Sequence, residues 1–165
     1  MIHLVLDDRA VQQALDGLSR RASDMSPVMN RITQVMEEGT RTHFEEERGP
    51  DGQRWKPLAD STLLAYMRRS TGGKGLLTKR GNTRTAAVRA LAQKKILLDS
   101  GRLEHDIGRE FDSMSAMLTT VQPYAATHQF GDEKRGIPAR PFFGFSEAIK
   151  AGIIDAVTKH LDGDL

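Results

Sequence analysis

Between Ser61 and Leu98 the chain carries no Asp or Glu, yet it holds nine cations: Arg68, Arg69, Lys74, Lys79, Arg80, Arg84, Arg89, Lys94 and Lys95. Nothing else in the sequence restricts the fold as strongly. Cations without acids beside them resist burial together, because each would lose its water and gain no partner. Gly72, Gly73, Gly75 and Gly81 raise the entropy cost of ordering the middle of the stretch. A long, basic, glycine-rich mobile loop is therefore expected, an excursion at about residues 68–95 that adds little to a core.

The excursion also changes the meaning of the net charge. The 165 residues contain 24 Lys and Arg against 22 Asp and Glu, a near-neutral +2. Removing the nine cations leaves 15 basic and 22 acidic residues, a net of −7. Such segregation in one domain-sized chain points to a charged partner, or to a second copy of the chain. The length is that of one domain, residues 1–165, since about 150 residues per domain is the usual prior. There is no Cys, which excludes disulfides and Cys-ligated zinc. Apolar runs are only a few residues long, too short for a membrane span. Asp7, Asp8 and Arg9 interrupt any signal-like start, so an intracellular start is expected.

The local patterns predict an α+β fold. Met1–Leu6 reads as a strand added to a sheet. Asp7 or Asp8 caps a helix with Val11, Leu15 and Leu18 on one face, running to about Arg21. Ser23, Asp24 or Ser26 starts a second, longer helix, with Pro27 in its first turn and an end near Glu47. Gly39 inside that helix costs about 1 kcal/mol relative to Ala, so a close approach by another backbone is expected there. Gly49-Pro50-Asp51-Gly52 is a turn. A short helix follows through Leu63–Met67, and a helical patch is expected over Ala86–Gln93. Phe111 and Met114–Val121 read as two strands around Asp112-Ser113. Ser146 caps a last helix with Ile149, Ile153, Val157 and Leu161 on its core face. A small, mainly antiparallel sheet packed with two N-terminal helices and a C-terminal helix is the result.

No catalytic constellation emerges. His43 beside Glu45, Glu46 and Glu47 lacks the second His of His-Glu-x-x-His, and a solvated acidic helix end accounts for it better. A metal hydrolase using His43, Glu46 and His128 is the enzymatic alternative. Gly72-Gly73-Lys74-Gly75 is not a phosphate loop, because Lys74 is followed by Gly75 and no strand precedes it. No Ser lies in Gly-x-Ser-x-Gly. No metal and no cofactor is expected. For the basic stretch three readings stay open: phosphate neutralisation on nucleic acid, docking on an acidic protein surface, and a solvated loop. Tyr66 is its one aromatic, which makes a base-stacking platform weak.

An ordered series of short motifs carries a resemblance. Asp51-Gly52-x-x-Trp55-x-Pro57-Leu58 is followed by Thr62, then by Leu98-x-Ser100-Gly101-x-Leu103. Tyr124-Ala125-x-x-His128-x-Phe130-Gly131 and Ile137-Pro138-Ala139-Arg140-Pro141-Phe142 complete it. The series resembles the phage virion morphogenesis family, the tail-completion proteins of Mu-like and P2-like phages. By this resemblance Trp55, Leu58, Gly101, Leu103, Tyr124, His128, Gly131, Arg140, Pro141 and Phe142 are structural or interface residues.

The resemblance implies a late, structural virion protein rather than an enzyme. It would complete the tail and join it to the head as a neck or connector ring. The implied partners are copies of itself, six being the expected number, and neighbouring connector, tail-tube or terminator proteins. A hybrid with the nucleic-acid reading, weak and non-specific DNA contact in the ring lumen, stays open, and no membrane partner is expected. Its place would be the tail or neck of the virion, after assembly in the bacterial cytoplasm. A tail-terminator ring capping the tube, and a basic DNA-binding protein, are the alternatives.

Overall fold

The computed structural model describes residues 8–163. The strand expected over Met1–Leu6 lies outside them. Two compact units are present. The first takes the chain up to Gly39, Ile107–Thr119 and the chain from Phe145 on; the second takes Thr40–Asp106 and Thr120–Gly144.

The first unit is α+β. Helix α1 spans Arg9–Ser23 and α2 spans Ser26–Glu46, the latter contributing its residues up to Gly39. Strands β1, Ile107–Phe111, and β2, Ala116–Thr120, form a two-stranded sheet joined by a turn in which Asp112 N–H donates to Ser115 O at 3.0 Å. Helix α7 spans Glu147–Asp162, and the Ser146 hydroxyl accepts from Ile149 N–H as its cap. Buried Val28, Ile32 and Ala156 form the core, with Met25, Met29, Ala116, Ile153 and Val157 packed on it. Spacing by three and four on α2 and by four on α7 places these residues on facing sides.

Gly39 and Gly152 set the approach of α2 and α7. A Cβ on Gly39 would overlap the Ile149 side chain, and one on Gly152 would lie 2.7 Å from Val35 Cγ1. The close approach expected at Gly39 is real, and the partner is a side chain rather than a backbone. His160, buried on α7, reaches Arg21 O at 2.9 Å, and Arg21 Nε donates to Leu161 O at 2.8 Å. These bonds tie α1 to α7. The apolar stripe of α1 is not buried: Val11, Leu15 and Leu18 are 60%, 58% and 41% exposed.

The second unit holds the end of α2, α3 over Asp60–Ser70, α4 over Thr85–Gln93, α5 over Arg102–His105 and α6 over Ala125–Phe130. Its buried apolar residues include Phe44, Trp55, Ala87, Leu103, Ala125 and Phe142. The turn at Gly49–Gly52 closes with Gly52 N–H donating to Gly49 O at 2.9 Å. In the basic excursion, α3 and α4 pack together, and α4 matches the expected helical patch. Between them Leu77 and Thr83 form an isolated antiparallel bridge, with Arg84 N–H donating to Leu76 O at 2.8 Å. The glycines at 72, 73, 75 and 81 all have positive φ, so the loop turns where they permit it.

Among the described residues the sheet has two strands. Among the described residues, extended backbone around Trp55–Leu58 and Ile137–Phe142 joins no ladder of that sheet, although Ile137 pairs with Asp132 in an isolated bridge. Pro57, Pro138 and Pro141 have no N–H to give to a ladder. Side-chain bonds hold these segments together with single backbone bonds such as Trp55 N–H to Glu47 O at 2.8 Å.

Candidate functional site

The motif residues come together in the second unit. Trp55 Nε1–H donates to Pro141 O at 2.8 Å, and its ring meets Phe44 edge-on at 5.6 Å. Phe44 in turn lies 5.4 Å from Phe142. Arg140 is 4% exposed, and its Nε and Nη2 donate to Lys56 O and Pro57 O, each at 2.8 Å. Arg140 N–H donates to His128 O at 2.7 Å, which links the Ile-Pro-Ala-Arg-Pro-Phe segment to α6. Gly131 ends α6 at φ 80°, and a Cβ there would lie 2.8 Å from Ala139 N. Only glycine fits that position, because both the φ and the space exclude a side chain.

Gln129 is a residue that the motif series leaves unmarked. Its Oε1 accepts from Phe142 N–H and Phe143 N–H, both at 3.0 Å, and its Nε2 donates to Phe143 O at 2.8 Å. One side-chain amide thus replaces a strand partner for the segment after Pro141. The available signal was its place between His128 and Gly131, inside the motif.

Six motif residues, Leu58, Gly101, Leu103, Tyr124, His128 and Arg140, line a cavity of about 600 Å³. Trp55, Gly131, Pro141 and Phe142 are not in its wall. Tyr66, Arg69, Lys94, Asp99 and Arg102 also line it. Asp99 Oδ1 accepts from Arg69 at 2.9 Å and from Lys94 at 3.3 Å. Lys94 Nζ lies 4.6 Å from the centre of the Tyr66 ring, and the Arg69 guanidinium 5.5 Å from it. Tyr66 and Asp99 were not among the residues marked by sequence.

One buried polar atom of His128, Nδ1, lacks a hydrogen-bond partner among the described residues. Burial, and then the charge of Arg140, push the pKa of His128 down, so its ring is held neutral.

The nine cations of the excursion separate into two groups. Arg69 and Lys94 serve Asp99 and Tyr66. Arg84 Nε donates to Lys74 O and Gly75 O at 3.2 and 3.1 Å, and Lys95 Nζ donates to Glu45 O at 3.4 Å. Arg68, Lys74, Lys79, Arg80 and Arg89 are exposed and make no ion pair among the described residues. Exposed and without intrachain ion pairs, they are available to anions from outside.

His43 is occupied structurally: its Nδ1–H donates to Phe142 O at 2.9 Å. Among the described residues no three His, Asp or Glu side chains are grouped to hold a metal ion. No helix there is long and apolar enough to cross a membrane.

Two curated proteins are similar to the chain along nearly its whole length. "Putative capsid assembly protein G" of Escherichia phage Mu is 25% identical, covering 99% of this chain and 96% of the relative. "Mu-like prophage FluMu G protein 2" of Haemophilus influenzae is 25% identical, covering 95% and 94%. No solved structure matches the chain. The match to the family itself covers residues 6–90 and 84–162 in two overlapping segments. The scaffold of motif residues and these matches lead to one conclusion: the chain belongs to the phage virion morphogenesis family, and its role is in building the phage virion.

Proposed function

We propose that the chain is a structural, non-enzymatic subunit of a ring that completes the phage tail and joins it to the head. The observation that carries this reading is the charge division. Five exposed cations with no ion pair among the described residues sit on one excursion of a chain whose remainder is net negative. A closed ring needs two different complementary patches on each subunit. Opposite charge on those patches sets register and partner choice more than affinity. The Mu relative's name, which refers to capsid assembly, supports a place that reaches the head. Tail-terminator and connector rings both meet these requirements, and the joining of heads to tails distinguishes them.

The test removes the excursion. Replacing residues 72–84 by a short Gly-Ser link is expected to leave the chain folded by circular dichroism. Tails and filled heads should then accumulate unjoined. Normal yields of joined particles would sink the assembly role of the loop.

The same five cations favour one second reading, weak DNA contact in a ring lumen. Fluorescence polarisation with duplex DNA would then show binding that falls steeply with salt, as counterion release requires. No binding at low salt excludes it.

A further inference from the structure

The cavity beside Tyr66 has the chemistry of a receptor for an acidic, apolar segment. Leu58, Leu103 and Tyr66 line its apolar side. Arg69, Lys94, Arg102 and Arg140 in the wall outnumber the one carboxylate, Asp99. Its volume of about 600 Å³ is within the usual range of 300–1,000 Å³ for sites that bury a ligand.

The chain displays a segment of that chemistry. The tip of the β1–β2 hairpin reads Glu110-Phe111-Asp112-Ser113-Met114. Phe111 is 47% exposed and Met114 88% exposed, so neither is seated in a cavity of its own chain. The tip is also pre-organised. Asp112 accepts from Met114 N–H at 2.6 Å, Ser115 N–H at 2.7 Å and the Ser115 hydroxyl at 2.8 Å. These bonds lower the pKa of Asp112 and keep it ionised. A two-stranded ribbon gains stability from whatever covers its exposed face.

We infer that the hairpin tip of one copy seats Phe111 and Met114 in this cavity on a second copy, with Glu110 facing the wall cations. The contact rests on the ring reading above and adds to it a pair of patches separate from the five exposed cations. It is heterologous, joining two different surfaces, which generates a ring when the rotation closes. Phe111 and Met114 supply the buried anchors, and the charges supply register.

The absence of cysteine makes the test clean. Ala65 lines the cavity and is exposed, so Ala65→Cys and Met114→Cys disturb little. The two single-cysteine chains are mixed, oxidised with diamide, and run on a non-reducing gel. A mixed dimer is expected at least ten times above that of a control pair, Ala65→Cys with Lys159→Cys. Separately, Met114→Asp should abolish oligomers in sedimentation while leaving the thermal midpoint of the monomer unchanged. Oligomers that form without the Ala65–Met114 cross-link, or that survive Met114→Asp, overturn the contact and leave the ring reading standing. A chain that stays monomeric at every concentration overturns both. A cross-link together with normal head–tail joining by Met114→Asp phage keeps the contact and sinks the joining role.

Discussion

Arg140 offers the most direct test of how the motif residues hold the site. Its guanidinium bridges two carbonyls, Lys56 O and Pro57 O, at 2.8 Å each, from a position 4% exposed. A hydrogen bond from a charged donor contributes about 1.5–3 kcal/mol. Burial lowers the pKa of Arg140, a sign that its desolvation offsets part of that gain. Arg140→Ala removes both donors and leaves two carbonyls short of partners, which should cost about 3–5 kcal/mol. Arg140→Lys keeps the charge, but one ammonium lacks the fork that spans both acceptors. Its expected cost is about 1.5–3 kcal/mol, one bond of the two. Trp55, the single tryptophan, bonds to Pro141 O next door, so its fluorescence reports the transition in urea. If both variants unfold within about 0.5 kcal/mol of the parent chain, the bridge is not what holds this segment.

Two further outcomes follow from the same geometry. Gly39→Ala should destabilise despite the roughly 1 kcal/mol helix preference for Ala, because its Cβ would meet Ile149, whose side chain is buried. In an Ile149→Ala background the same change should become stabilising, by about 1 kcal/mol in urea unfolding; an unchanged sign refutes the contact. His128 has a depressed pKa in the folded chain, so the unfolded chain binds its proton more readily. Its neutral form is common to both states above about pH 6.5. Stability should therefore fall as the pH drops through that value, and His128→Phe should flatten this part of a pH series of urea midpoints. Parallel curves for the two chains would refute the burial of the ring as its cause.

Much of the secondary structure was legible because its signals are local. Ser146 caps α7, and the Gly49–Gly52 turn closes as its residues suggest. Each depends on a few neighbouring backbone groups, and the residue types at those positions are the ones such groups require. The sheet was less legible. A proline-rich extended segment has the same local pattern whether a strand or a side chain satisfies it. Here Gln129 and Arg140 do so from elsewhere in the chain. The stripe of α1 shows the same limit: spacing puts Val11, Leu15 and Leu18 on one face but does not say what covers it.

The charge pattern divides along the same line. Composition alone determined that residues 61–98 are an acid-free, basic surface element in an otherwise acidic chain, because unpaired cations cannot share a core. Only the tertiary structure decided which cations find partners within the chain. Asp99 draws in Arg69 from thirty residues away, along with its near neighbour Lys94, and both lie by Tyr66. Arg68, adjacent to Arg69, has no ion-pair partner among the described residues. Two arginines adjacent in sequence differ this way because successive helix positions point about 100° apart, and a distant carboxylate can reach only one of them.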